Sequence, residues 1–249
     1  MADVQKNTQA RDTRYILVVE NSSSELFYTS LLLQRFEYQV CSASDSGHAL
    51  EMLSVAVPAL IITDMVLPGM SGMDLLRLIR QDPRTGRVPI IFLVPAQDRT
   101  SRERCLNAGA AGCLEKPVQA EDLFRIVQAA IEPIPRGNIR IQTRLAVSVN
   151  NIPLDCIEGE CASVLSEHGM YVRMLKPYPR NERVSVCLNI NGRTIAVVAT
   201  VLYCHTFGEG PFKEPGMGLK FTTITPGDRE YINRFINDEV TRGIVPVPS

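Results

Sequence analysis

The sequence predicts an α/β domain, a doubly wound five-stranded parallel sheet, followed by a mostly antiparallel β-barrel domain with a C-terminal helix. Three observations carry this prediction. Up to residue 131, short apolar runs alternate with amphipathic stretches, which is typical of repeated βα units. Around residues 132–137, two prolines and a glycine interrupt the chain. Beyond them, apolar and polar residues alternate with a period of two, which indicates half-buried strands.

The first half contains five predicted strands, each followed by a predicted helix. The strands are predicted at residues 15–19, 38–42, 59–63, 89–94 and 112–115, and the helices at residues 24–36, 46–54, 72–81, 99–107 and 120–131. Ser22 and Glu25 fit a capping box at the start of the first helix. Five βα units predict a parallel sheet that helices cover on both faces.

The second half is predicted to be a small antiparallel barrel or sandwich. Its predicted strands span residues 145–149, 184–190, 194–203 and 217–221. Asn191 and Gly192 lie between two of these strands, and this dipeptide is the strongest short-range signal for a tight hairpin. Thr225 suits the capping position of a helix that starts at Pro226, and Asp228 favours the positive end of that helix. A C-terminal helix is therefore predicted to close the domain.

The composition limits the function classes. Among 249 residues, 26 Lys and Arg nearly balance 27 Asp and Glu. Without a basic excess, bulk binding to DNA is not expected, whereas a local cluster of arginines can still bind a small anion. Seven scattered cysteines without C-x-x-C spacing predict neither a disulfide framework nor a zinc site. The polar N-terminus and the lack of a long apolar run predict a cytoplasmic protein with no membrane span.

Three ordered motifs in the first half carry a family resemblance. They are ILVVEN at residues 16–21, IITDMVLPGMSG at residues 61–72 and GAAGCLEKP at residues 109–117. The polar groups of these motifs fall where predicted strands end, and functional groups of parallel α/β sheets gather at that edge. Residues 14–131 resemble the receiver domain of two-component response regulators.

The receiver resemblance implies that Asp64 accepts a phosphoryl group from a histidine kinase. It implies Lys116 as the cation that contacts the phosphoryl oxygens. It also implies a Mg²⁺ ion held by oxygen ligands, which are Glu20, Asn21, Asp64 and the carbonyl of Val66. Family members usually have a cis peptide after this lysine, so the bond between Lys116 and Pro117 is the candidate here.

Three positions depart from the receiver pattern. Asn21 stands where the family has a second acidic residue, and the neutral amide is a weaker Mg²⁺ ligand. Val94 stands where a hydroxyl reaches for the phosphoryl group, and Cys113 stands where an aromatic ring acts as a switch. Two interpretations stay open: a working phosphoacceptor, or a degenerate receiver that serves as a docking or dimerisation module.

Arginines and two further motifs in the second half carry another resemblance. Arg136, Arg140 and Arg144 recur every four residues, and SEHGMYV at residues 166–172 and PGMGLKF at residues 215–221 follow. Residues 136–241 resemble a PilZ domain, the bacterial receptor module for cyclic diguanylate (c-di-GMP). The family signature is R-x-x-x-R followed by [D/N]-x-S-x-x-G. Residues 132–135 are the predicted linker between the two domains.

The PilZ resemblance implies a set of nucleotide-binding residues, which are Arg140, Arg144, Ser166 and Gly169, with Arg136 as an auxiliary contact. Two arginine registers fit, and the Arg140/Arg144 register is preferred because Arg144 leads directly into a predicted strand. Guanidinium groups bind phosphate oxygens or the guanine edge bidentately. The arginines are expected on a flexible arm that folds over the ligand. Val164 occupies the acid or amide position, which removes a polar partner at a cost of about 1–3 kcal/mol.

Together the two resemblances imply a bacterial signalling adaptor that is not an enzyme. Phosphorylation of Asp64 would be coupled to c-di-GMP binding, and the signal would pass by protein contacts. The expected partners are a histidine kinase, c-di-GMP, a downstream protein of the motility or surface-organelle machinery, and a second copy of the chain. The alternative is a receiver–PilZ scaffold that binds protein partners only, without phosphorylation or nucleotide.

Overall fold

The computed structural model describes residues 15–210 and 213–244, which form two compact units. The first unit contains the described residues up to Gly137 together with residues 241–244, and the second contains the described residues from Asn138 to Val240. None of the helices in these ranges combines the length and the hydropathy that a bilayer crossing requires.

The first unit is a sheet of five parallel strands with helices between them. The strands are β1 (Tyr15–Val19), β2 (Gln39–Ala43), β3 (Leu60–Asp64), β4 (Ile90–Val94) and β5 (Gly112–Glu115). The helices are α1 (Ser23–Arg35), α2 (Ser46–Val55), α3 (Gly72–Gln81), α4 (Arg99–Asn107) and α5 (Ala120–Ile131). The strand order is β2-β1-β3-β4-β5, which confirms the predicted doubly wound parallel sheet. β3 and β4 are buried along their whole length, as expected for central strands covered on both faces.

Only half of the capping box predicted for α1 is present. The side chain of Ser22 accepts a hydrogen bond from the backbone N–H of Glu25 at 3.5 Å, as predicted. The carboxylate of Glu25 does not return to the backbone of Ser22, because it forms an ion pair with Lys116. The N–H of Ser22 donates instead to Oε1 of Glu20 at 3.0 Å. The ion pair with the distant Lys116 therefore replaces the second hydrogen bond of the capping box.

The second unit is an eight-stranded antiparallel half-barrel with one C-terminal helix. The strands are β6 (Arg140–Leu145), β7 (Val147–Val149), β8 (Ile152–Pro153), β9 (Cys161–Ser166), β10 (Gly169–Arg173), β11 (Arg183–Ile190), β12 (Arg193–His205) and β13 (Gly216–Thr223). Their order is β6-β9-β10-β13-β12-β11-β7-β8. This arrangement confirms the predicted antiparallel architecture.

Two tight hairpins set the register of the half-barrel. Asn191 and Gly192 both have positive φ, at 51° and 84°, and they join β11 to β12 as predicted. The second hairpin joins β9 to β10, with Ser166 paired to Gly169 across a turn of two residues. The sequence pattern predicts no strands at β9 and β10. This hairpin brings the signature residues of both strands side by side.

The C-terminal helix α6 (Pro226–Thr241) packs its apolar stripe against the half-barrel. Ile232, Ile236 and Val240 recur every four residues and are buried. The hydroxyl of Thr225 accepts a hydrogen bond from the N–H of Asp228 at 3.1 Å, so the predicted cap is present. The helix prediction is therefore confirmed, including its start at Pro226.

Gly169 permits a close approach between β10 and β13, and its substitution should destabilise the second unit. A Cβ atom at this position would lie 2.2 Å from the carbonyl oxygen of Leu219, a backbone atom that cannot rotate away. We expect Gly169→Ala to lower the free energy of unfolding by about 2–3 kcal/mol, measured by urea denaturation. Gly227→Ala is the control, because a Cβ there meets nothing within 4 Å. Equal stability of both variants would contradict this explanation.

Candidate functional site

Three carboxylates converge on the ammonium group of Lys116 at the carboxyl edge of the parallel sheet. The Nζ atom lies 2.7 Å from Oε2 of Glu20, 2.7 Å from Oδ2 of Asp64 and 2.5 Å from Oε2 of Glu25. Glu20 follows β1, Asp64 ends the neighbouring strand β3, and Lys116 follows β5, which β4 separates from β3. All three residues therefore lie at the carboxyl edge of the same sheet. The side chain of Glu20 is completely buried, and those of Lys116 and Asp64 are 13% and 12% exposed.

The buried charges perturb each other. Burial raises the pKa of Glu20 above its usual value, and hydrogen bonds from Lys116 and the N–H of Ser22 counter only part of this effect. Burial alone would lower the pKa of Lys116, but hydrogen bonds to Asp64, Glu20 and Glu25 outweigh it and raise the pKa above 10.5. Lys116 is therefore cationic at neutral pH. With all three carboxylates ionised, the cluster has an excess of two negative charges.

The backbone around Asp64 fixes the position of its carboxylate. The N–H of Val66 donates to Oδ1 of Asp64 at 3.3 Å. A Cβ atom on Gly72 would lie 2.1 Å from the carbonyl oxygen of Asp64, so this position requires glycine for the start of α3 to approach the end of β3. The peptide bond between Lys116 and Pro117 is cis, as the resemblance implied.

The predicted Mg²⁺ ligands are only partly brought together. Glu20 and Asp64 share Lys116, whereas Asn21 is exposed in the loop after β1. Among the described residues, no group of three or more His, Cys, Asp or Glu side chains is arranged to hold a metal ion. The predicted set contains oxygen atoms only, with two carboxylates in a pocket of excess negative charge. This set fits Mg²⁺, which usually binds one or two carboxylates and keeps several waters.

Two positions that depart from the receiver pattern, Val94 and Cys113, lie on β4 and β5 as predicted. Val94 is buried at the end of β4 and pairs with Glu115 of β5. Cys113 is half-buried, and its thiol donates to the carbonyl of Arg102 on α4 at 3.8 Å. A methyl-bearing side chain and a small thiol thus occupy the places of the hydroxyl and the aromatic ring.

The arginines of the signature lie on a strand and not on a flexible arm. Arg140–Leu145 forms β6, which pairs with β9, and residues 140, 142 and 144 are exposed while 141, 143 and 145 are half-buried. Arg140 pairs with Ser166, and Gln142 pairs with Val164. The expected flexible arm is therefore wrong for this segment, because the free edge of β9 satisfies its backbone hydrogen bonds. Arg140, Gln142 and Arg144 share one face.

The predicted nucleotide-binding residues differ in how they are held. Arg144 donates through Nη2 to the carbonyl of Cys156 at 2.7 Å, and Ser166 donates through Oγ to the carbonyl of Gly169 at 2.9 Å. Within the described residues, the side chain of Arg140 has neither a hydrogen bond nor an ion pair. Arg136 belongs to the first unit and its N–H donates to Oε1 of Gln128 at 2.9 Å. Its role as an auxiliary contact stays a prediction.

Three side chains at these sites were missed by the sequence analysis. Glu25 reaches Lys116 only through the tertiary fold, so no local signal marks it. Gln142 lies two residues from each arginine, and the period of two in β6 could have placed it on their face. Lys220 pairs with Gly169, which pairs with Ser166. Arg140, Ser166, Gly169 and Lys220 therefore form one row across four strands. Its ends, Arg140 and Lys220, lie roughly 14 Å apart, which is three strand spacings.

Comparisons with known proteins match each unit to a family. The family model for the response regulator receiver domain matches residues 16–128, and the model for the PilZ domain matches residues 135–238. The two-component response regulator ORR7 of Oryza sativa subsp. japonica is 33% identical over 119 residues, which are 47% of this chain and 57% of that protein. The chain thus spans little more than half the length of this relative.

Two further relatives are covered almost completely by the match. Two-component response regulator ORR3 of Oryza sativa subsp. indica is 31% identical over 118 residues, which are 47% of this chain and 90% of that protein. Protein PilH of Pseudomonas aeruginosa is 27% identical over 116 residues, which are 47% of this chain and 96% of that protein. The second unit matches the PilZ family model over residues 135–238, and the chain belongs to the response-regulator receiver family through residues 16–128.

Proposed function

We propose that this protein is a bacterial signalling adaptor in which phosphorylation of Asp64 is coupled to c-di-GMP binding by the PilZ unit. The observation that carries the proposal is the pairing of Arg140 with Ser166, which puts a guanidinium group without a described partner beside the signature serine. Output passes through protein contacts, because the chain combines two signalling domains. A histidine kinase is the proposed source of the phosphoryl group.

The geometry around Asp64 supports phosphoryl transfer. The phosphorus–nitrogen bond of a kinase phosphohistidine breaks, a bond to a carboxylate oxygen of Asp64 forms, and the released imidazole takes up a proton. Lys116, 2.7 Å from Asp64, is placed to pair with the transferred oxygens. Mg²⁺, when bound by Glu20, Asn21, Asp64 and the carbonyl of Val66, supplies charge that offsets the phosphoryl group. Incubation with acetyl phosphate and Mg²⁺ should label the wild type and leave Asp64→Asn unlabelled.

The exposed face of β6 and β9 supports nucleotide binding. Arg140, Arg144 and Ser166 face the same side, and Gly169 pairs with Ser166 across the β9–β10 hairpin. Two guanidinium groups suit a ligand with two phosphates and two guanine edges. Isothermal titration of c-di-GMP into the full chain should give saturable heat. The absence of any heat would remove this half of the proposal.

Gln142 is proposed to supply the amide that Val164 does not. The two residues are cross-strand partners, so their side chains lie side by side on the ligand face, about 5 Å apart at Cβ. We expect Gln142→Ala to weaken c-di-GMP binding about 5- to 30-fold, the effect of one hydrogen bond to a buried guanine edge. Gln81→Ala, an exposed change of the same residue type at the end of α3 in the first unit, is the control. Unchanged affinity of Gln142→Ala in the same titration would exclude this role.

Coupling between the two sites is proposed to pass through the start of the linker. Gln128 of α5 is buried, donates to the hydroxyl of Tyr38 at 2.6 Å and accepts from the N–H of Arg136 at 2.9 Å. Arg140 follows four residues later in the chain. A ligand-induced change in the first unit can therefore reach the arginines through a fixed backbone point. Identical c-di-GMP affinity with and without a phosphoryl mimic on Asp64 would dismiss the coupling.

The competing function is a scaffold that binds protein partners only. Val94 in place of a hydroxyl and Val164 in place of a polar side chain favour it. A scaffold predicts no c-di-GMP heat and no Asp64-dependent labelling, so the two experiments above separate the candidates. The downstream partner is proposed to belong to the motility or surface-organelle machinery in either case.

A further inference from the structure

Lys116 has as many carboxylate partners as it has protons to donate. An ammonium group carries three N–H donors, and Glu20, Glu25 and Asp64 each lie within 2.7 Å of Nζ. A phosphoryl group on Asp64 needs at least one of these donors. One carboxylate must therefore release Lys116 before its ammonium can pair with the phosphoryl oxygens.

We propose that Glu25 holds the Lys116 donor that the phosphoryl group requires, and thereby competes with phosphorylation. The inference rests on the proposed phosphorylation of Asp64. Glu25 is a positioning residue, because it acts on the phosphoryl group only through Lys116. No other contact of its carboxylate is needed for this role.

Burial decides which carboxylate is released. Glu20 is completely buried, so separating it from Lys116 would leave an unpaired charge inside the protein. Asp64 carries the phosphoryl group and stays in place. Glu25 is 21% exposed and lies in the first turn of α1, where the helix N-terminus favours a negative charge. Its release into solvent costs least.

Charge drives the same exchange. Phosphorylation adds about one further negative charge beyond the carboxylate that it modifies, next to a cluster that already has two in excess. The carboxylate of Glu25 is repelled by the new charge, while Lys116 is attracted to it. The release of Glu25 then changes the contacts of the first turn of α1 when Asp64 is phosphorylated.

The test is the affinity of the full chain for beryllofluoride, a phosphoryl mimic, in the presence of Mg²⁺. Glu25→Gln removes the competing charge and should bind beryllofluoride about tenfold more tightly than the wild type. Glu51→Gln, an exposed change of the same charge on α2, should bind like the wild type. Equal or weaker binding by Glu25→Gln overturns the proposal while phosphorylation stands. Failure of both proteins to bind overturns the proposed phosphorylation as well.

A second readout follows the ammonium group without any phosphoryl mimic. In ¹⁵N-lysine-labelled wild type, the side-chain protons of Lys116 should exchange slowly with water, because three carboxylates hold them. Glu25→Gln should accelerate this exchange at least severalfold and shift the Nζ resonance, whereas Glu51→Gln should change neither. A Lys116 signal that is identical in wild type and Glu25→Gln overturns the proposal, because Glu25 then does not hold the donor.

Discussion

Arg140→Ala should lower the affinity for c-di-GMP by roughly 30- to 150-fold. Arg140 is exposed on β6 beside Ser166 and has no partner among the described residues, so its guanidinium group is available to a ligand without breaking an existing contact. A charge-assisted bidentate contact to a phosphate or a guanine edge contributes about 2–3 kcal/mol. The fold should be unaffected, because the side chain is exposed.

Isothermal titration with matched arginine variants checks this expectation. Arg180→Ala removes an equally exposed charge from the loop before β11 and should bind c-di-GMP like the wild type. Arg144→Ala should lower the affinity for c-di-GMP as much as Arg140→Ala, whereas Arg136→Ala should lower it by no more than a few fold. This difference would assign the signature to Arg140/Arg144 and not to Arg136/Arg140. An Arg140→Ala affinity within threefold of the wild type would contradict the binding face.

Patterns that repeat along the chain predicted the architecture well. The alternation of apolar runs and amphipathic stretches predicted all five parallel strands of the first unit within two residues, because strands of a covered parallel sheet form short apolar runs and the helices on its faces are amphipathic. Asn191-Gly192 predicted its hairpin for a local reason, since both residues adopt positive φ without strain. Signals of this kind depend on near neighbours only.

Contacts made by distant segments were not accessible to sequence reasoning. The segment from Arg140 to Leu145 was expected as a flexible arm, and it becomes a strand because β9, which no pattern had marked, offers it a free edge. Glu25 was expected to complete a capping box, and the charge of Lys116, 91 positions away, claims it instead. In both cases the partner that determines the conformation lies far away in the sequence, so no local pattern identifies it.

Lys116→Met should be the most destabilising substitution in the first unit, by about 3–5 kcal/mol at neutral pH. It leaves the carboxylates of Glu20, Glu25 and Asp64 close together without a cation, and Glu20 has no access to water. Removing one partner of a buried ion pair costs this much because the remaining charge stays desolvated. Asp64→Asn should act in the opposite direction and stabilise the unit by up to about 1 kcal/mol, since it reduces the excess negative charge.

The deficit of Lys116→Met should shrink as the pH falls. Without the cation, the pKa of the buried Glu20 carboxyl in the folded state rises further above its unfolded value of about 4.5. Between the unfolded and the folded pKa, the folded state therefore binds more protons than the unfolded state. Stability therefore increases towards low pH in the variant. In urea denaturation, the free energy of unfolding of Lys116→Met should differ less from that of the wild type at pH 5 than at pH 8. The exposed control Lys176→Met should match the wild type at both pH values. A deficit that is equal at both pH values would mean that lost packing, and not unpaired charge, destabilises the variant.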